Sequence, residues 1–353
     1  MTNQISILCA SRYEDQIGGN LANFRRVIQA AKSQDVVCKV VSLHPNYSLT
    51  SYRFDDETTK FVRVDSTPSR VLYNRISTRA LENHPVVQRM LNDFMSAGHV
   101  ITNPRFLTKT DLMEVWQQNK TMRHMIPDSV KLSTFTTLQH FLDVHHQVYV
   151  KPVTGKAGIG IVYLLAKPGQ RIDVYEQGPG QLHHVGIMPS KEWYSRHNQQ
   201  HGGHAFILQE DANPIRFADR RFDLRMLVQR DEHDHFHVSG AGIRQAQARY
   251  SITTHVPNGG SILTLSDVLP TLFATRSKSV QEAAFLAATN AAYAVATLPG
   301  VWSEVSVDMG LRKDGTPILY EANAKPMKFD EPKIEHQSKQ RIIRRLVSLE
   351  SSG

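Results

Sequence analysis

The chain has little cysteine: Cys9 and Cys38 are the only two in 353 residues, and both sit in apolar, strand-like runs. They cannot form the disulfide framework of a small secreted domain and read as buried free thiols of a reducing compartment. No apolar run approaches the ~20 residues that a membrane-crossing helix needs. The first apolar run, Ile5 to Ala10, has no basic segment before it and no cleavage site after it. It therefore reads as a first strand, not a signal peptide. Dense blocks of positive charge are also missing. The formal charge is +8, but Lys and Arg are scattered, with their longest cluster near Lys339 to Arg345. Such a surface favours polyanionic ligands such as nucleotide phosphates or acidic substrates; it permits weak nucleic-acid binding and demands none. The 17 histidines do not combine with cysteine at zinc spacing, and most read as surface residues. The Walker pattern GxxxxGK[ST] is absent, as are a convincing Cys–His or Ser–His pair and any internal repeat. Length and composition thus predict a cytoplasmic protein of two or three globular units, with no membrane or nucleic-acid partner expected.

What is present is organised around Glu304 to Pro326, EVSVDMGLRKDGTPILYEANAKP. Two apolar, alternating runs flank Asp314-Gly315, which predicts a hairpin with a two-residue type I′ turn. In that register Lys313 faces Thr316, Arg312 faces Pro317, and Asp308 falls opposite Glu321. Asn323 shares a strand face with Glu321. Opposed carboxylates destabilise a ladder, so the patch asks for a cation. Oxygen donors alone suit Mg²⁺ or Mn²⁺, not zinc. The bland alternative is a solvated pair neutralised by Arg312, Lys313 or Lys325.

The remaining chain opens β-α-β (Ile5 to Ala10, residues 21–33, Val36 to Leu43), which predicts a parallel sheet. Residues 44–69 read as polar and irregular. Further strands and a helix from Pro85 to Gly98 close an α/β unit near residue 103. A helix is expected from Thr108 to about His124, and another near residues 136–146. The strand QVYVKP ends in Lys151, and the glycine-rich loop Gly155, Lys156, Gly158, Gly160 follows it. Such a loop between strands is either a phosphate cover or an ordinary hairpin. Pro168 to Gly203 is rich in Gly, His and Gln and reads as mobile connections with one short helix. Gln209-Glu210 ends a strand, where backbone and carboxylate can serve an adenine and its ribose, though a strand-end glutamate is commonplace. Asp223 and Arg225 share a strand face, either as a simple salt bridge or with Asp223 holding Arg225 against a phosphate.

In chain order these are a lysine, a glycine loop, a strand-end acid, DxR and Asp…Glu-x-Asn. With VLYNRISTR, KPVTGKAGIGIVYL, ILQEDAN…RRFDLRMLVQ and the hairpin, the chain resembles the ATP-grasp superfamily, and within it the YheC/YheD-type, endospore coat-associated branch, over residues 71–330. The resemblance implies an ATP-grasp fold, α/β and α+β, with an N-terminal α/β pre-ATP-grasp domain. The expected division is 1–103 for that domain, 104–205 for the central or lid subdomain and 206–353 for the C-terminal subdomain. It implies Lys109 and Lys151 as nucleotide-phosphate lysines, with Lys120 competing for the first place. It implies Gly155 to Gly160 as the phosphate-covering loop and Gln209 and Glu210 as the hinge at adenine and ribose. Asp308, Glu321 and Asn323 become ligands of ATP-borne Mg²⁺ (or Mn²⁺). Arg225 steadies the transferred phosphoryl group, with Arg244 as a second arginine of that site. His255 stands where an asparagine often precedes Gly259-Gly260, a departure that bears on the acceptor.

The implied activity is ATP-dependent ligation of a carboxylate to an amine or thiol through an acyl phosphate, on small-molecule or peptide substrates. Spore coat components are further partners, and a spore-associated location is the variant of the cytoplasmic one. A non-catalytic nucleotide-binding coat protein and a small-molecule kinase are the alternatives. Arg75, Arg79, Arg244 and Arg249 suggest an acidic donor by their charge.

Overall fold

The computed structural model describes residues 3–155, 158–178, 181–254, 256, 259–326 and 332–351. Three sheets carry the chain, each with its own apolar core.

The first sheet contains β1 (Gln4–Ala10), β2 (Val37–Leu43), β3 (Leu49–Asp55), β4 (Lys60–Val64), β5 (Val71–Asn74) and β6 (Val100–Thr102), in the order β4-β3-β2-β1-β5-β6. The strands β2, β1, β5 and β6 are parallel, as the β-α-β opening predicts. Helix α1 (Leu21–Lys32) starts where Asn20 accepts from the N–H of Asn23, an N-cap worth about 1 kcal/mol. Its Phe24, Val27 and Ala31 cover one face, and α3 (Pro85–Ser96) covers the other with Val87, Met90 and Leu91. The short α2 (Arg79–Glu82) precedes α3. The stretch expected to be irregular instead holds the β3–β4 hairpin, antiparallel to β2. Its signal is the alternation of Thr50, Tyr52 and Phe54, hidden by the polar residues between them.

The second sheet is antiparallel, in the order β11-β10-β9-β8-β12-β7. Its strands are β7 (Ser129–Lys131), β8 (Gln147–Pro152), β9 (Val162–Lys167), β10 (Arg171–Gln177), β11 (Leu182–Pro189) and β12 (Phe206–Glu210). Helices α5 (Phe135–His145) and α6 (Ser190–His201) close one face over Leu138, Val148, Val150, Trp193 and Leu208. Residues 168–203, expected to be mobile connections with one short helix near Lys191 to Asn198, contain that helix as α6 but also the strands β10 and β11. Here the histidines do structural work: His197 is 5% exposed and stacks on Trp193 at 4.7 Å between ring centroids.

The third sheet runs β15-β14-β13-β16-β17: β13 (Phe222–Arg230), β14 (Phe236–Gln245), β15 (Ser261–Leu263), β16 (Glu304–Leu311) and β17 (Pro317–Asn323). Its back carries the largest core, where Leu224, Met226, Val305 and Val307 meet α7 (Leu265–Phe273) and the alanine face of α8 (Ser277–Val295). Helix α4 (Lys109–Gln118) also packs there through Leu112, Val115 and Trp116. It ends six residues before the expected His124; a capping box of Thr108 and Asp111 opens it. Strand β12, beyond residue 205, thus lies in the second sheet, and α4, beyond residue 104, packs on the core of the third. The terminal helix α9 (Pro332–Ser351) returns to the first sheet, where Ile342, Ile343 and Leu346 complete the core under β1 and β5.

Candidate functional site

The faces of the second and third sheets turned away from α5–α6 and α7–α8 look at each other across a cleft with about 910 Å³ of empty space, open to solvent. Strand alternation decides what each wall presents. On β8, Val148 and Val150 go to the core, so Tyr149 and Lys151 face the cleft. On β12, Phe206 and Leu208 go to the core and Gln209 faces the cleft. On β13 the apolar Leu224 and Met226 go back, so Asp223 and Arg225 come forward.

The hairpin reaches its expected pairing by an unexpected route. Arg312 N–H donates to Thr316 O at 2.8 Å and Gly315 N–H to Arg312 O at 3.0 Å. The loop is therefore three residues, Lys313 to Gly315, with Gly315 at φ +93°. Leu311, not Arg312, then faces Pro317. A bulge at Tyr320 restores the register, and Asp308 faces Glu321 as expected. Tyr320 swings its ring over Gly310, where any side chain would collide with the phenol.

Two cations serve the opposed carboxylates. Arg225 Nη1 donates to both oxygens of Asp308, at 3.0 and 2.9 Å, and its Nη2 donates to Ser306 Oγ at 3.1 Å. Lys109 Nζ lies 4.0 Å from Glu321 Oε1. Asn323 faces Ser306 across the ladder, on the same side as Glu321. None of the residues named in the bland alternative does this. Lys325 is buried against Glu82, and Lys313 is exposed in the turn. Arg312 donates to Ala212 O at 3.5 Å. Lys120 is exposed beyond the end of α4. The donor set on this face is all oxygen, held on two paired strands, and its chemistry fits a hard divalent cation.

Asp223 does not hold Arg225. It accepts from the Thr254 hydroxyl and pairs across the ladder with Arg244, which also lines the cleft. Burial, together with the neighbouring Asp308 charge, pushes the Asp223 carboxyl up to about 6 against the pull of Thr254 and Lys151. Lys151 Nζ donates to Gln209 Oε1 at 2.5 Å and sits 4.9 Å from the Tyr149 ring centroid. Burial first, and then the charge of Lys109, lowers its pKa to about 8. The folded lysine thus sheds its proton at lower pH than the unfolded one. Its effect on stability is unfavourable below about pH 8 and disappears as pH rises toward the ordinary lysine value. Anion binding runs the other way. Affinity for a polyphosphate should fall as pH rises from 7 to 9, and Lys151→Met should flatten that slope; calorimetric titration across the range checks it.

Glu210 departs from its expected place. Its side chain turns to the helix-covered face, taking Asp128 N–H at 3.1 Å and lying 3.2 Å from His145 Nδ1. Glu210 is nonetheless among the residues lining the cleft. Gly158 also lines it, with Gly158 and Gly160 at φ +73° and +74° and Gly155 folded against Pro152. Lys156 and His255 lie outside the described residues. Arg75 and Arg249, suggested for an acidic donor, are engaged elsewhere. Arg75 is buried on Glu304 at 3.2 Å, and Arg249 pairs with Asp219 at the surface. Among the residues missed in sequence are Tyr149, Tyr163, Asp211 and Arg221. Arg221 bonds Asp211 (2.5 Å), whose carboxylate also takes the Tyr163 hydroxyl (2.7 Å), making a rigid side wall. Only the run QEDAN…RR hinted at them.

The family described as YheC/D like ATP-grasp matches residues 98–349. Endospore coat-associated protein YheD of Bacillus subtilis (strain 168) is 21% identical over 272 residues, 75% of this chain and 59% of that protein. YheC of the same organism is 20% identical over 228 residues, 64% of this chain and 61% of that protein. The chain thus spans about three fifths of these relatives. Among solved structures, D-cycloserine synthetase DcsG superposes with a TM-score of 0.59 at 14% identity, covering 98% of this chain and 99% of that one. D-alanyl-alanine synthetase A from Vibrio cholerae O1 biovar eltor gives 0.57 at 12% identity, with both chains fully covered. Three sheets in this arrangement are the ATP-grasp fold, and the chain belongs to the YheC/D-like ATP-grasp family.

Proposed function

We propose that this chain is an ATP-dependent ligase that joins a carboxylate to an amine or thiol. The reading is carried by one observation: Arg225 and Lys109 each contact one of two opposed carboxylates, on the floor of a cleft whose other wall offers Lys151. Unlike charges held this densely beside open space suit a ligand that brings both negative charge and a cation. Mg²⁺-ATP is such a ligand. Asp308, Glu321 and Asn323 would hold the metal, which neutralises phosphate charge when bound.

The division of labour among three units is part of the proposal. The central unit covers the phosphates with Lys151 and the glycine loop. The C-terminal unit supplies Asp223, Arg225, Arg244 and the carboxylates, and the first unit closes the substrate side. The hinge at Gln209 and Glu210 contributes backbone to the base. The substrate carboxylate attacks the γ-phosphorus, giving an acyl phosphate and ADP, and the amine or thiol then displaces phosphate. Lys109, Lys151 and Arg225 stabilise the transferring group electrostatically, and the loop excludes water from an acyl phosphate that it would hydrolyse. No protein nucleophile is required. Cys9 and Cys38 lie in the first sheet, where burial pushes both thiols up to about 12. The relatives' coat association adds coat components to the candidate substrates, alongside small molecules and peptides.

Incubation with Mg²⁺-ATP and a panel of amino acids and short peptides should release ADP in an amine-dependent way, and hydroxylamine should trap a hydroxamate. Nucleotide binding without ADP release across a broad panel would point to a binding protein. A phosphorylated product stable to hydroxylamine would point to a kinase.

A further inference from the structure

We propose that Glu82, in the first unit, is a positioning residue that fixes the distance between the Lys109 ammonium and the metal-binding end of β17. The inference rests on the nucleotide reading above and adds to it a residue far from the phosphates.

Glu82 ends α2 and is 1% exposed. Its two oxygens serve two different segments. Oε2 accepts from the N–H of Phe106 at 2.7 Å, three residues before Lys109. Oε1 takes the ammonium of Lys325, two residues after Asn323, and Asn74 Nδ2 at 3.3 Å. One carboxylate therefore ties the entrance of α4 to the exit of β17.

The ties around it are of the same kind. Lys325 Nζ also donates to Asn74 Oδ1 at 2.9 Å. Asn103 Nδ2 donates to the carbonyl oxygens of Glu304 and Ala324. Arg75 Nη2 donates to Pro326 O at 2.8 Å, and Arg79 Nη2 to Leu107 O at 2.5 Å. Asn74, Arg75, Arg79 and Glu82 all come from the motif run and short helix of the first unit, and their partners all flank the proposed site residues.

A buried ion pair carries a desolvation cost for each charge and is weak evidence for stability. An apolar pair of similar volume would hold two segments together as well. What the charges add is direction: charge-assisted hydrogen bonds to a carboxylate are short and more directional than apolar contacts. Lys109 and Glu321 are 4.0 Å apart, and a shift of about 1 Å at either end would alter how both meet one triphosphate.

The test separates affinity from stability. Glu82→Gln leaves Lys325 buried without its counter-charge and should lower both Tm and Mg²⁺-ATP affinity. In Glu82→Gln/Lys325→Met no buried charge is orphaned, so Tm should recover. The Kd for Mg²⁺-ATP should nonetheless stay raised by about tenfold, the lower end of what lost outer-shell partners of metal ligands cost. Glu82→Asp, which keeps the charge and shortens its reach by one methylene, should show the same rise. Recovery of affinity together with Tm in the double variant, or wild-type affinity in Glu82→Asp, overturns the inference while the nucleotide reading stands. A wild-type chain that binds no Mg²⁺-ATP in calorimetry overturns both.

Discussion

Replacing Glu321 by alanine should abolish metal-dependent ATP turnover and leave the fold in place. Glu321 faces Asp308 across the ladder, and its side chain is 33% exposed. Removing it opens no cavity in the core, and relief of the like-charge pair with Asp308, about a few tenths of a kcal/mol or more, offsets the lost contact with Lys109. Tm should therefore hold or rise slightly. The metal, by contrast, loses a direct ligand. Outer-shell changes alone cost about 10–100-fold in metal affinity, so the Mg²⁺ concentration giving half-maximal ADP release should rise by more than about 100-fold. A variant that released ADP with the wild-type Mg²⁺ dependence would remove Glu321 from the metal site.

Arg225→Ala should act on the chemical step rather than on binding. Arginines that stabilise a transferring phosphoryl group contribute about 10³ or more to turnover, and a loss of that order in kcat is expected. Arg225 currently donates to both oxygens of Asp308. When a divalent ion arrives, Asp308 must be shared with it or released to it. Without Arg225 the carboxylate is already free for the metal, so the Kd for Mg²⁺-ATP should change by less than about tenfold and its Mg²⁺ requirement should fall. Equal losses in kcat and affinity would mark Arg225 as part of a structural ion pair.

The sequence was most legible where chemistry and strand period coincide. Asp223 with Arg225, and Glu321 with Asn323, are each two residues apart, and each pair does share a strand face. The hairpin shows the limit of such reasoning. Asp314-Gly315 admits both a two-residue turn and a three-residue loop, and the bulge at Tyr320 has no local signature; the two departures cancel at Asp308. Glu210 misled because strand-end position says nothing about side-chain direction, and alternation along β12 turns it toward His145. Arg75 misled because charge in sequence carries no burial; its partner Glu304 is 229 residues away. The junction at Glu82 was invisible for the same reason, with Lys325 243 residues distant. Long-range pairing of polar groups is set by how whole units dock, which no local pattern encodes.

Helix α9 gives the molecule an order of assembly. The first sheet is made from the beginning of the chain, yet Ile342, Ile343 and Leu346 are fully buried in its core beside Ile5, Ile7 and Val71. On a ribosome adding about 5–20 residues per second, β1 waits tens of seconds for that cover, with an apolar strip exposed meanwhile. Of these three units, the one whose strands are synthesised before the others' is thus covered after them. A chain interrupted between β17 and α9 would leave the cell a folded third sheet attached to an open first one, a ready substrate for chaperones and proteases.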